Sequence, residues 1–226
     1  FPYTTLFRSD IQNSMADIEH HMLHFLDNHD EQRLASDFFA GDAQKGKAGM
    51  IVASCMNTNP VMIYAGQELG ERGMDAEGFS GRDGRTTIFD YWHVDTLGRW
   101  YHQGKIGHAL LTTEEQELQQ FYSKLLNACL HEKALSKGLF FDLMYANMEG
   151  GCLDPHRQYV FLRAYEDEAV LVIANFSDQA RAVAINLPQH AFDYLQLEPN
   201  SQCEAVDLLT NETETICVSP DQPVET

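Results

Sequence analysis

Two short apolar runs, each ending in a cluster of polar residues, constrain the fold of this chain more than any other feature. The first is Met22–Leu26, followed by Asp-Asn-His-Asp at 27–30, and the second is Val61–Ala65, followed by Gly-Gln-Glu at 66–68. Each run is too short for a helix and fits a strand buried on both faces, which is typical of a parallel sheet. Functional groups collect at the C-terminal edge of such sheets, so we expect both clusters to lie at one rim.

The segments around these runs predict helices and a loop. Apolar residues recur at helical spacing from Ala48 to Met56, which predicts an amphipathic helix that Pro60 ends. Residues 71–104 are rich in glycine and aromatic side chains, and they predict a long loop that serves as a lid or a binding surface. Residues 112–115, Thr-Thr-Glu-Glu, form a capping box that opens a helix running to about Cys129.

From about Leu139 the apolar pattern changes from a helical period to the alternation of strands. Turn signals separate the segments, and short strands at this spacing are typical of an antiparallel sandwich. We therefore predict a barrel-type domain over 10–137 and a β-sandwich domain over 138–226. The predicted strands are Leu139–Met144, Tyr159–Tyr165, Ala169–Asn175, Ala180–Asn186, Tyr194–Leu197, Ala205–Leu209 and Thr213–Val218.

Charge and cysteine usage exclude several classes of function. Lys and Arg number 15 against 34 Asp and Glu, so the net charge of −19 would repel a nucleic acid or an anionic membrane surface. No apolar run approaches the roughly 20 residues that span a bilayer, and we expect a soluble protein. The five cysteines are widely spaced, which argues against a zinc site or a disulfide framework, and we expect Cys55 and Cys129 to fill core.

Residues 1–9, Phe-Pro-Tyr-Thr-Thr-Leu-Phe-Arg-Ser, resemble the in-frame translation of a common sequencing adapter. We therefore read them as a library artefact and exclude them from the fold. On that reading the natural protein continues upstream of about Asp10, and localisation is left open.

The residues of the first cluster allow more than one interpretation. Asp30 lies beside His29 and near Arg33, so it could bind sugar hydroxyls or stabilise developing positive charge. The simpler alternative is that Asp27 or Asn28 caps the next helix and His29 is an ordinary loop histidine. A third interpretation is a metal-dependent hydrolase, for which the ligands would be His20, His24, His29 and Asp30.

Four stretches, in this order, resemble glycoside hydrolase family thirteen, the α-amylases. Phe25–Asp30 with Arg33 is similar to the fourth signature region, at the end of the seventh barrel strand, and Ile63–Glu68 resembles the eighth strand. Gly84–Trp92 is similar to the substrate-side loop, and Val172–Asp178 resembles the C-terminal sandwich. The resemblance implies the C-terminal portion of a TIM (β/α)8 barrel followed by an antiparallel β-sandwich domain.

The resemblance also implies a function, namely a retaining glycoside hydrolase acting on α-glucans such as starch and maltooligosaccharides. Asp30 matches the acid that stabilises the transition state, and His29 matches the neighbouring substrate-binding histidine. The predicted substrate-binding residues, at the rim or on the loop beside it, are Asn28, His29, Arg33, Tyr64, Gln67, Glu68, Arg85 and Trp92.

Catalysis needs two further acids that the resemblance does not place in this chain. In the family the nucleophile and the general acid/base lie on the fourth and fifth strands, upstream of these residues. We therefore expect the chain to be a C-terminal fragment that is inactive alone, with no cofactor of its own and with calcium left to the parent enzyme. The alternative is a non-catalytic carbohydrate-binding or interaction module.

Overall fold

The computed structural model describes residue 14 and residues 17–75, 82–88, 94–148 and 153–226. The chain divides into two compact units, and we describe each by itself. The N-terminal unit comprises Leu23–Ala53 and Pro60–Leu126, and the C-terminal unit comprises Phe1–Met22, Ser54–Asn59 and Asn127–Thr226. The predicted domain boundary near residue 137 stays a prediction.

In the N-terminal unit the two apolar runs pair in parallel, as the sequence predicts. His24 donates its backbone N–H to Pro60 O at 3.1 Å and accepts from Met62 N at 2.8 Å, which makes one parallel bridge between His24 and Val61. The expectation that the first run is buried on both faces is wrong, since Leu23 and Phe25 are 48% and 42% exposed. Within the described residues the run has a single neighbour, which leaves its side chains partly open to solvent.

The helix between the runs, α1, extends over Gly46–Cys55 and confirms the predicted one. A 3-10 turn at Ala43–Lys45 precedes α1, and Asp42 caps that turn by accepting a hydrogen bond from Gln44 N at 2.8 Å. Another 3-10 turn, Gln67–Leu69, follows the second run. It places the polar groups of residues 67 and 68 directly after the parallel pair.

The prediction of a long loop over 71–104 is wrong at its C-terminal end. Helix α2 covers Asp95–Trp100 and continues into a small hairpin, whose strands are β1 (Tyr101–His102) and β2 (Lys105–Ile106). The helical turn is stabilised by Arg99, which bonds Asp95 four residues earlier at 2.8 Å. Glycine and aromatic residues are frequent around this segment and favour a loop, so the sequence did not predict this short helix.

Helix α3, Thr113–His131, begins with the predicted capping box. Thr112 Oγ1 accepts from Glu115 N at 3.3 Å, while Glu115 Oε2 accepts from Thr112 N at 2.8 Å. Glu115 also pairs with Arg99, and the hydrogen bond from Arg99, together with its positive charge, lowers the pKa of this carboxyl. The described part of the chain then continues in helix α4, Lys133–Ser136.

The C-terminal unit is built on antiparallel strands, as predicted. Strands β3 (Leu139–Asp142), β4 (Gln158–Tyr165) and β5 (Glu168–Asn175) form one sheet in that order. Residues 158–164 of the central strand are all buried, so β4 forms the middle of this unit's core. The remaining strands pair two by two, β6 (Ala184–Ile185) with β9 (Val224–Glu225) and β7 (Asn200–Val206) with β8 (Thr213–Val218).

One predicted strand of this unit is a helix instead. The segment predicted as a strand at Tyr194–Leu197 lies at the end of helix α5, Gln189–Leu195. Ala191, Phe192 and Leu195 are buried at helical spacing, which the short apolar pattern did not distinguish from a strand. The helix ends at Gln196, which adopts a left-handed conformation at φ 57°.

Candidate functional site at the end of the parallel pair

The turn that follows the first apolar run carries an exposed acid and an exposed histidine. The side-chain carbonyl of Asn28 accepts from the backbone N–H groups of Asp30 and Glu31, both at 2.9 Å. This double acceptance fixes the turn and explains why an asparagine stands there. His29 and Asp30 project from it, 50% and 73% exposed, with Nε2 of the histidine 3.4 Å from Oδ1 of the aspartate.

Below that turn lies a buried ion pair. Arg33 Nε donates to Asp27 Oδ2 at 2.9 Å, and both side chains are almost completely buried. The other oxygen of Asp27 accepts from Leu34 N at 2.8 Å. Charges this deep are stable only when paired and hydrogen-bonded, so this pair anchors both ends of residues 27–34.

The remaining donors of Arg33 tie three segments together. Nη1 donates to Thr86 Oγ1 at 2.9 Å and Nη2 donates to Ala65 O at 3.0 Å. The guanidinium also lies over the Tyr64 ring, 4.7 Å from its centroid. Each guanidinium nitrogen thus has a protein partner, and Arg33 fastens the first turn to the second run and to residue 86.

Gln67, on the turn after the second run, is buried and used inside the unit. Its side-chain oxygen accepts from Tyr64 N at 3.4 Å, and its Nε2 donates to Tyr122 Oη at 2.9 Å. Burial raises the pKa of Tyr122 to about 12, so this hydroxyl stays neutral. Gly66 makes the turn by adopting φ 85°, where a Cβ would meet Glu71 Cβ at 3.0 Å.

Glu68, the residue after Gln67 on the same turn, has a carboxylate with a raised pKa. Its Oε2 atom is buried and has no hydrogen-bond partner among the described residues. Burial raises the pKa of Glu68, and this effect exceeds the lowering by backbone hydrogen bonds and by the charge of Arg33. Glu68 therefore holds its proton more tightly than an exposed glutamate does.

Glu68→Gln is expected to raise the melting temperature at neutral pH and to lose that advantage below about pH 4.3, the ordinary pKa of a glutamate. Since the pKa of Glu68 is raised in the folded state, its contribution to stability is present at low pH and lost as pH rises through the raised value. Melting temperatures of Glu68→Gln and of the unaltered chain, measured from neutral pH to below about pH 4.3, test the prediction. Glu31→Gln, at an exposed position, is the control. An equal shift at both ends of the range would contradict it.

The loop segment that the structure describes packs against the same arginine. Arg33 N donates to Gly84 O at 2.6 Å, and Gly84 adopts φ 81°. Arg85 is about one-third exposed, with Nη1 3.7 Å from Asp83 Oδ2. Trp92 lies outside the described residues, so its predicted role is not addressed by the structure.

The predicted site residues therefore separate into two groups. His29 and Asp30 lie exposed at the turn, whereas Arg33 and Gln67 lie beneath the surface with protein partners. The sequence pattern did not identify Asp27 as the buried partner of Arg33. The spacing of an aspartate six residues before an arginine is a signal that could have indicated this pair. Thr86 and Tyr122 carried no recognisable signal, since their contacts join residues far apart in sequence.

The structure also bears on metals and membranes. Across the described ranges, no group of three or more His, Cys, Asp and Glu side chains is placed to hold a metal ion. Of the helices that the structure describes, none combines the length and the apolar character needed to cross a membrane.

One family model and several solved structures match this chain. The family model described as "Alpha amylase, catalytic domain" matches residues 3–129. A maltogenic α-amylase from Thermotoga neapolitana is similar in structure, with a TM-score of 0.58 at 12% identity over 97% of this chain and 43% of that one. An α-amylase from Geobacillus thermoleovorans, complexed with acarbose, gives 0.60 at 14% identity over 100% and 41%. A third, AmyP in complex with maltose, gives 0.57 at 17% over 96% and 41%.

These comparisons also set the extent of the likeness. The chain spans about two-fifths of the length of these three solved structures. At such low identity the structures show a shared fold, a partial barrel with an added sheet domain. A search of curated proteins finds no match.

Proposed function

The chain belongs to the α-amylase family, and from this premise we propose that it is the C-terminal part of a glycoside hydrolase acting on α-glucans. The proposed substrates are starch and maltooligosaccharides. Support comes from the similar structures, which include amylases complexed with maltose and with maltotriose. The strong negative charge fits a neutral polysaccharide substrate better than a polyanion.

The finer architecture is part of this proposal. In it, the parallel pair at His24 and Val61 belongs to the last two strands of a (β/α)8 barrel, and residues 138–226 form a C-terminal β-sandwich. The turn at 27–30 directly follows the first run of the parallel pair, and active sites in such barrels lie at the C-terminal ends of the strands. Residues 10–137 would then supply the barrel portion.

One observation supports the proposed site most strongly. An exposed acid and an exposed histidine project from a turn that buried and local hydrogen bonds hold in place. Asp30 stabilises the positively charged transition state and binds sugar hydroxyls, and His29 binds beside it. The turn is held by Asn28 and by the buried pair of Asp27 and Arg33. A turn held in this way keeps the backbone of His29 and Asp30 in place when charge develops on the sugar.

The other predicted residues take two roles in this proposal. Asn28, Arg33 and Gln67 are positioning residues, because their polar atoms bond to the protein itself. The substrate-facing residues, which retain some exposure or belong to the adjoining loop, are Tyr64, Glu68, Arg85 and Trp92. Calcium stays a prediction for the parent enzyme.

We expect the purified 226-residue chain to release no reducing sugar from soluble starch. A retaining mechanism needs a nucleophile and a proton donor about 5–5.5 Å apart across the scissile bond, and the proposal places both upstream of this chain. A reducing-sugar assay tests this. The positive control is the longer protein of which, in this proposal, the chain is the C-terminal part. Turnover by the short chain would contradict the proposed division of the site.

The same assay decides between the proposal and its alternative. If the longer protein hydrolyses starch, the protein is a glycoside hydrolase. If it binds maltotriose but never cleaves a glucan, the alternative of a non-catalytic carbohydrate-binding module is correct.

A further inference from the structure

Two cysteines that are far apart in sequence are in contact in the C-terminal unit. Cys55 is the last residue of α1 and Cys129 lies in the last turns of α3, 74 residues further along. Their Sγ atoms are 3.7 Å apart, and both thiols are free. Cys55 is buried, as expected for a core cysteine, whereas Cys129 is partly exposed.

A buried cation accompanies the two thiols. Arg163, on strand β4, is 1% exposed and donates from Nη1 to Cys55 O at 2.9 Å. Its Nη2 donates to Leu135 O at 3.2 Å and to Gly138 O at 2.7 Å, which fixes the guanidinium in place. Its Nε has no hydrogen-bond partner in the described part of the chain. An incompletely satisfied positive group thus lies where a thiolate would be stabilised.

The two thiols are not equivalent. The hydrogen bond between the pair raises the pKa of Cys55 and lowers that of Cys129, and the charge of Arg163 lowers both. Cys129 is partly exposed whereas Cys55 is buried, so Cys129 is the thiol that a small disulfide can reach. These are the properties of an attacking thiol, with Cys55 as the resolving thiol.

We propose that Cys55 and Cys129 form a reversible intramolecular disulfide when the protein meets a low-molecular-weight disulfide. The Cys129 thiolate attacks one sulfur of that compound, which forms a mixed disulfide and releases one thiolate. Cys55 then loses its proton, attacks Cys129 Sγ and expels the second thiolate. The two protein thiols are oxidised, the small disulfide is reduced to two thiols, and two protons pass to them.

The geometry favours this bond because little movement is needed. A disulfide has an S–S length of about 2.05 Å, so the sulfurs approach each other by roughly 1.6 Å through side-chain rotation. The bond would join the end of α1 to the end of α3, beside the central strand β4. Cross-linking residues so far apart in sequence removes conformational entropy from the unfolded chain. The oxidised form is therefore the more stable one.

The chain contains a matched control pair. Cys203 on β7 lies opposite Ile216 on β8, so the next residue, Cys217, points to the other face of that hairpin. These two cysteines are close along the hairpin but on opposite faces. They should not form a bond with each other.

The test is to incubate the full chain with oxidised glutathione, count free thiols and map the linked peptides. We expect two of the five thiols to be lost, a Cys55–Cys129 cross-linked peptide, and a melting temperature raised by on the order of 10 °C. Cys203→Ser/Cys217→Ser should behave like the unaltered chain, whereas Cys55→Ser should stop at a mixed disulfide on Cys129.

Three results would overturn the proposal. They are retention of all five thiols, a mixed disulfide on Cys129 of the unaltered chain that never resolves, and a mapped bond that joins any other pair. Because peptide mapping uses the unaltered chain, the outcome does not depend on whether a variant folds. It is also independent of the proposed hydrolase function.

Discussion

Arg33→Met is expected to lower the free energy of unfolding by about 3–5 kcal/mol, because it leaves the Asp27 carboxylate buried without its partner. The two side chains are 0% and 2% exposed, so water cannot replace the lost ion pair. The substitution also removes the hydrogen bonds to Thr86 and Ala65 that join three segments of the N-terminal unit. Urea unfolding of the purified variant measures the loss.

Arg72→Met is the matched control for this experiment. Arg72 also pairs with an aspartate, Asp37, but their side chains are 52% and 58% exposed. An ion pair at the surface contributes about 0–1 kcal/mol, so this variant should change stability little. Equal losses in the two variants would show that burial of the Arg33 pair is not what stabilises the turn.

A second substitution separates the charge from the packing. Adding Asp27→Asn to Arg33→Met removes the unpaired negative charge while keeping the shape of the side chain. Part of the lost stability should return, because the largest cost is a buried charge rather than a missing contact. A further drop in the double variant would contradict that explanation.

Local interactions made part of this fold predictable from the sequence. The capping box at Thr112 and Glu115 involves residues three apart, and the structure confirms both of its hydrogen bonds. Helix α1 was equally predictable, since its spacing and the proline after it are local signals. The parallel pairing followed from the repeated order of an apolar run and a polar cluster.

Long-range contacts were the part that the sequence could not supply. The sequence does not show that Arg33 is buried, because its partners Ala65 and Thr86 lie 32 and 53 residues away along the chain. The contact between Cys55 and Cys129 is likewise invisible in their spacing. Helix α5 was missed because a short apolar segment has the same composition in a helix as in a strand.

For the candidate site, the residue types were predictable but their division of roles was not. The sequence pattern placed Asp30, Arg33 and Gln67 together at one rim. The structure exposes the first and buries the other two, because the arginine and the glutamine find partners within the unit. Burial depends on the packing of the whole unit, which no short motif contains.

The proposed role of Asp30 in stabilising the transition state of glucan hydrolysis is tested by Asp30→Asn in the parent enzyme proposed above. We expect kcat on maltooligosaccharides to fall by about 10²–10³-fold, since the variant loses a charge held in place where positive charge develops. Glu31→Gln alters a neighbouring exposed acid without touching the proposed site, and it should leave kcat within about twofold.

The most direct measurement is therefore the ratio of kcat between these two variants, with unfolding curves to show that both are folded. A ratio of about 10²–10³ in favour of Glu31→Gln is the predicted result. If a folded Asp30→Asn protein instead turned over glucan as fast as its Glu31→Gln counterpart, the exposed acid would have no part in catalysis.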